Sequence, residues 1–262
     1  MKWFSGIFSG RSSEMVPTSE NSRDLTHPGP VGQVRRLVAV MRAHGLSREQ
    51  IPGFFTPDLP LRPEEIYEDD RLASRIDHNV MDVLKNRLGI QPDWLRRGTG
   101  DIYHVLSLRG HMSVFLRFLA LHLKAGSSLQ MYLVREVNRE GLLSGVAMFF
   151  RVPIRDLHGR VVYRYYPCGD LWDWNDHNQR IELKCMIAMA LKSKVVVRGA
   201  YAEADILDDL ASGQDMPGNL MRFMAVYAWR PRLYVMLASE HPRPRSRTRP
   251  PAFVTIFTNV VG

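Results

Sequence analysis

Apolar residues recur at helical spacing through most of residues 31–100, and closer to alternation in parts of the remainder. Val34, Leu37, Val38 and Met41 predict a helix over 33–44, and Gly45 stops it. A second helix is predicted from 46 to 51, with Ser47 as N-cap and Gln50 at the capping-box position. Pro52 should cut that helix short, and Pro57, Pro60 and Pro63 should stiffen the loop after it. Pro63 opens a predicted helix through PEEIYEDDRLASRI, whose first turns are acidic. Val80, Val83, Leu84 and Leu88 mark the next, closed by Gly89, and Pro92 opens a short last one closed at Gly98. Five helices in about 65 residues predict a compact helical module.

The pattern changes after residue 103. A strongly apolar helix is predicted over 112–124 and a strand over 129–137. Strands over 146–154 and 160–166 flank Arg155-Asp156-Leu157-His158-Gly159, a hairpin signal. An amphipathic helix over 176–191, a strand over 194–198, helices over 202–210 and 219–227, and a strand over 253–259 complete the order. The predicted class is α+β: a five-helix bundle followed by a mixed α+β domain, with no internal repeat. The divisions are a flexible Ser/Gly/Pro leader over 1–30, a helical domain over 31–103 and an α+β sensing or dimerisation domain over 104–240. A basic Pro/Arg arm with a terminal strand fills 241–262.

Composition narrows the class. At 262 residues and 45% hydrophobic the chain can bury a substantial core. It has no run of eighteen apolar residues, and its first ten residues make a poor signal peptide; Trp3, Phe4, Ile7 and Phe8 read as a loosely held tail, or as a segment that docks on a partner or a membrane surface. Two cysteines, Cys168 and Cys185, are too few for a disulfide framework, so a cytoplasmic location is expected, without a membrane. The net charge of +8 favours a polyanionic partner, but it is unevenly placed. Residues 31–100 hold 11 Lys/Arg against 10 Asp/Glu, and residues 101–262 hold 21 against 14. Arg243, Arg245, Arg247 and Arg249 supply much of the excess.

The run Leu88-Gly89-Ile90…Pro92-Asp93-Trp94-Leu95…Gly98-Thr99-Gly100, with Gly45-Leu46-Ser47-Arg48-Glu49-Gln50 before it, resembles lambda-repressor-like helix-turn-helix regulators. The likeness covers about 70 residues, and the matching positions are caps, stops and packing residues. It implies a DNA-binding transcriptional regulator that meets double-stranded DNA as a homodimer, the second domain dimerising or sensing a small-molecule or protein effector. Tyr67, Arg71, Ser74, Arg75 and His78 would face the groove, and Arg48 and Gln50 would hold phosphates. The Arg243–Arg249 arm would add sequence-independent affinity. Helix three by spacing, residues 63–71, carries Glu64, Glu65, Glu68, Asp69 and Asp70, which phosphate repels. Residues 71–78 have better chemistry for reading bases. The alternative is a protein-interaction factor whose acidic helix meets a basic partner, and a plain helical bundle also fits.

Other constellations are weaker. Tyr163, Tyr165, Tyr166, Trp172 and Trp174 read as the wall of a ligand pocket, with Tyr163, Tyr165, Trp172 and Trp174 as its contacts, as a dimer interface, or as sheet core. Cys168, His158, His177 and Cys185 match no zinc spacing, so no metal and no cofactor is predicted. His104, His111 and His122 read as packed or rim histidines, and Asp205, Asp208 and Asp209 as a solvated face. No Walker loop, nucleophile elbow, dinucleotide fingerprint or HExxH occurs, so an enzyme would have to be an unrecognised one in the second domain.

Overall fold

A computed structural model describes residues 25–138, 141–223 and 231. Within them the fold is mixed α+β, with ten α-helices and a mixed five-stranded sheet. The helical run comprises α1 (Gly29–Ala43), a 3-10 turn (Arg48–Gln50), α2 (Ile51–Phe55), α3 (Pro63–Tyr67), α4 (Asp69–Arg75), α5 (His78–Leu88) and α6 (Pro92–Arg97). Then follow α7 (Met112–Lys124), β1 (Gln130–Asn138), β2 (Gly141–Leu157), β3 (Arg160–Pro167), β4 (Trp172–Asp173) and α8 (His177–Lys192). β5 (Val196–Ala202), α9 (Ala204–Ser212) and α10 (Pro217–Phe223) complete the order of elements.

Local chemistry explains most of the boundaries. Asp77 caps α5 by accepting the Val80 N–H at 3.0 Å. Gly89, at φ +82°, closes it by donating to the carbonyls of Leu84 and Lys85. Two expectations need correction. Pro52 opens α2 rather than ending a helix, because the first turn of a helix tolerates a missing N–H. The helix predicted through Ile76 is broken at Glu68, whose extended backbone (φ −102°, ψ 116°) makes it the N-cap residue of α4. Its carboxylate-rich neighbours therefore fall in two first turns, Glu64 and Glu65 in α3 and Asp69 and Asp70 in α4, where the helix dipole favours them. The strand predicted over 253–259 lies outside the described residues.

The sheet order is β3-β2-β1-β5, with β1 antiparallel to β2 and parallel to β5, while β4 pairs with the start of β2. β2 is much longer than predicted because it serves two partners in succession, β1 up to Arg151 and β3 from Phe149 onward. Pro153 falls just beyond the β1 pairing, where β2 is an edge on that side and no ladder bond is lost. Both faces are apolar. Met131, Leu133, Val146, Met148 and Phe150 pack with Phe115, Phe118, Leu183, Met186 and Ile187 of α7 and α8. Tyr132, Val134, Ala147, Phe149, Val162 and Tyr165 share the other cluster with Leu37, Met41, Phe54, Leu84 and Leu95 of the helical run and Leu207 and Leu210 of α9. The helical run thus forms one outer layer over the sheet.

Two buried polar residues fasten that layer. Arg36 donates to the carbonyls of Leu95 (2.8 Å), Arg96 (3.0 Å), Leu25 (2.7 Å) and His27 (2.8 Å). It closes α6 and pins residues 25–27, part of the predicted leader, to α1. Gly98 leaves room for this, since a Cβ there would lie 2.6 Å from both the Arg36 guanidinium and the Leu25 carbonyl. His44, also fully buried, sits at the end of α1. Its Nδ1–H donates to the Tyr163 carbonyl at 2.5 Å, so the neutral ring's Nε2 accepts from the Tyr103 hydroxyl at 2.9 Å. Tyr165 meets the same ring edge-on at 5.1 Å.

Arg36→Met should cost about 3 kcal/mol or more, since it orphans buried carbonyls at a helix end. Arg36→Lys should recover only part of this, because an ammonium cannot reach four carbonyls with the geometry of a fork. The urea midpoint at constant m-value measures both, and a loss under 1 kcal/mol for Met would contradict the assignment.

A second expectation concerns acid. Burial pushes the His44 imidazole down to about 4 from its ordinary value near 6.5. Stability from such a group is complete above pH 6.5 and lost as pH falls toward 4, by about 3 kcal/mol. Asp215 has the opposite sign, because burial raises its carboxyl to about 6, aided by the nearby charge of Asp209 and opposed by the Met216 N–H bond. Its contribution is complete below the ordinary carboxylate value and lost as pH rises through 6. The two trends offset each other in the intact chain. His44→Asn should therefore become more stable between pH 7 and 4.5, and Asp215→Asn less stable. Parallel urea-stability profiles for the two variants would refute this.

Candidate functional site

The residues expected to face DNA fall into two groups. Tyr67, Arg71, Ser74, Arg75 and His78 are all exposed, while Ile66, Leu72 and Ile76 between them point into the core. Tyr67 stands out at 63% exposure. Arg48 and Gln50 are engaged internally. Arg48 donates to the Ile66 carbonyl at 2.7 Å and meets Asp69 at 2.5 Å, so it braces α3 against the 3-10 turn. Gln50 completes the predicted capping box, its Oε1 accepting the Ser47 N–H at 3.0 Å. The arm containing Arg243, Arg245, Arg247 and Arg249 lies outside the described residues.

The exposed arginines are paired within their own segment. Arg71 Nε is 2.6 Å from Glu68, and Arg75 Nε is 3.6 Å from Glu65. Ser74 donates to the Arg71 carbonyl at 2.7 Å. Residues 62–75 hold three arginines against five carboxylates, so the face is slightly acidic. Seven residues separate α2 from α3, where a helix-turn-helix uses a turn of about three or four. That connection is tied down: Arg155 donates to the Thr56 carbonyl at 2.7 Å, while Arg87 holds the Phe54 carbonyl and pairs with Asp58.

The aromatic set predicted to line one pocket is divided between the two faces of the sheet. Tyr165 belongs to the cluster under the helical run, and Tyr163 packs against that cluster. The guanidinium carbon of Arg151 lies 4.2 Å from the Tyr163 ring centroid and 5.0 Å from that of Tyr132, and Arg151 Nε donates to Gln130 at 2.9 Å. Trp172 and Trp174 belong to the opposite cluster, under α7 and α8. Burial pushes the Tyr165 hydroxyl up to about 12 and holds Cys168 well above the ordinary thiol range, so both stay protonated at neutral pH.

Among the described residues no group of three His, Cys, Asp or Glu could hold a metal ion, and no helix is long and apolar enough to cross a membrane. The described residues outside the predicted set that gather polar chemistry are His44 with Tyr103, and the cations around Trp174. His44 and Tyr103 come from distant elements, and Arg135 is distant from Trp174 and Lys184, so neither group has a sequence signature. No family model, curated protein or solved structure matches this chain.

The division between internal braces and surface pairs predicts unequal mutational costs. Arg48→Ala should lower stability by about 1–2 kcal/mol, through the loss of a charge-assisted bond to a helix-end carbonyl. Arg71→Ala should change it by less than about 0.5 kcal/mol, because both members of its ion pair are more than half exposed. Thermal midpoints compare the two, and equal losses would contradict the distinction.

Proposed function

We propose that this chain is a regulatory factor that acts through protein contacts, using a degenerate lambda-repressor-like helical segment over α1–α6. The observation that carries this reading is the pairing of Arg71 and Arg75 with carboxylates of their own segment. A phosphate would compete with those carboxylates for the arginines and be repelled by the exposed Glu64 and Asp70, and binding to DNA depends on cations that release counterions. An exposed tyrosine on a segment of five carboxylates suits a basic polypeptide, with the aromatic ring as anchor and the acids as polar rim.

The second reading is a DNA-binding transcriptional regulator that dimerises or senses an effector through the sheet domain. The exposure of Tyr67, Arg71, Ser74 and His78 favours it. Surface ion pairs are worth at most about 1 kcal/mol, so the arginines could exchange carboxylate for phosphate at modest cost. An enzyme in the sheet domain has no such observation behind it.

Full-length protein titrated with a lysine-rich peptide and with mixed-sequence duplex DNA, across a salt series, separates the readings. Under the first, the peptide binds saturably and the joint change Glu64→Gln, Glu68→Gln, Asp70→Asn weakens it at least tenfold. Any duplex binding is then unaffected by Arg71→Ala with Arg75→Ala. Duplex binding that falls steeply with salt, collapses in that arginine pair and tightens when Glu65 and Glu68 are neutralised would overturn it in favour of the second.

A further inference from the structure

Three cations gather around Trp174 on the sheet face covered by α7 and α8. Arg135 of β1 has its guanidinium carbon 5.4 Å from a Trp174 ring centroid, and the Lys184 ammonium of α8 lies 5.9 Å from one. Arg180, one helical turn before Lys184, donates to the carbonyls of Trp174 at 2.7 Å and Asn175 at 3.2 Å. Among the described residues none of these cations is paired with a carboxylate. The carboxylates of the same elements each accept a main-chain N–H. Asp173 accepts the Asn175 N–H, Asp176 caps α8, Glu136 accepts the Gly145 N–H and Glu182 accepts the Gly110 N–H.

Two shielded donors on this sheet face lack a protein acceptor: Arg135 Nε and Trp172 Nε1. Trp172 is wholly buried. Arg135 stands opposite Val146 in the β1–β2 register, and Val146 opposite Trp172 in the β2–β4 register. The two orphaned donors therefore lie on one face of the sheet, two strands apart. Buried N–H groups are rarely left unmade, and here one of them belongs to the guanidinium of a partly buried arginine.

We propose that Arg135, Lys184 and Trp174 form an oxyanion site that takes a phosphoryl group. A phosphate has oxygens enough to accept from a guanidinium fork and an ammonium together, and its double charge answers both cations. A monocarboxylate offers one charge and two oxygens. The indole supplies a wall that excludes water from one side, which strengthens the charged contacts. The site is independent of the protein-contact reading, since it lies on the opposite face of the sheet from the helical run.

Inorganic phosphate, a nucleoside monophosphate and acetate, each titrated into the full chain at ionic strength fixed with sodium chloride, test the proposal by tryptophan fluorescence and thermal midpoint. Both phosphates should give a saturable response and acetate none. Lys184→Gln should weaken phosphate at least tenfold. Trp174→Phe should remove most of the fluorescence change while a thermal shift persists. A tighter nucleotide than free phosphate would assign the site to an organic ester, and equal affinities would assign it to the free ion. No saturable response to either phosphate up to about 20 mM, an equal response to acetate, or undiminished affinity in Lys184→Gln would each overturn it. Because Lys184 lies on a helix and is half-buried, its variant reports even where Arg135→Gln does not fold.

Discussion

The burial of β1 on both faces is the constraint from which the architecture follows. Met131, Tyr132, Leu133 and Val134 are consecutive and each no more than 1% exposed, so neither face of this strand can be left to water. With β2 on one edge and β5 on the other, its backbone groups are satisfied within the sheet, and only helices can cover what remains. α7 and α8 cover one face, and the helical run with α9 covers the other. At roughly 25 cal/mol per Å² of apolar surface, a side chain the size of Tyr132 or Phe149 gains a few kcal/mol by this cover. Separating the helical run from the sheet would expose many such side chains at once, so the layers are expected to unfold together rather than as independent domains.

Arginine chemistry explains why the formal positive charge overstates what this fold offers a polyanion. Arg36, Arg48, Arg87, Arg155 and Arg164 each donate to main-chain carbonyls, many of them at helix ends. A guanidinium is suited to this because its charge persists under desolvation and its donors point in several directions. The helix C-terminus attracts it through its own partial negative charge. Formal charge counts such a residue as available to a polyanion, although it is already committed to the fold. On the α3–α4 surface the remaining arginines meet carboxylates of their own segment.

Much of the secondary structure was legible in the sequence, and its limits are instructive. The α5 stop at Gly89, the Pro92 start of α6 and the Asp156–Gly159 hairpin turn are local events, set by residues a few positions apart. The break at Glu68 was not read because no Gly or Pro marks it, although the six-residue step from Ile66 to Leu72 departs from helical spacing. The division of the aromatic set was hidden for a related reason. Tyr163 and Tyr165 obey one strand's alternation, but Cys168 to Leu171 leave β3 and re-enter at β4, where the phase is reset. Density of aromatics in sequence therefore said nothing about which face they occupy.

The contrast between satisfied and unsatisfied cations reaches further than either functional reading. Most arginines of this fold terminate on a carbonyl, a carboxylate or both, and their placement is explained by folding alone. Arg135 and Lys184 are different among the described residues, since their recorded contacts are with the aromatic ring of Trp174. A cation–π contact offsets only part of the hydration lost by a partly buried charge, typically about 1–2 kcal/mol. It also leaves the hydrogen-bond donors of both groups facing something other than the ring. Folding thus has no need of two cations there, and a well-packed apolar pair would satisfy it as well. The unpaired N–H groups on the same sheet face are the places where an acceptor from outside the folded chain would add most.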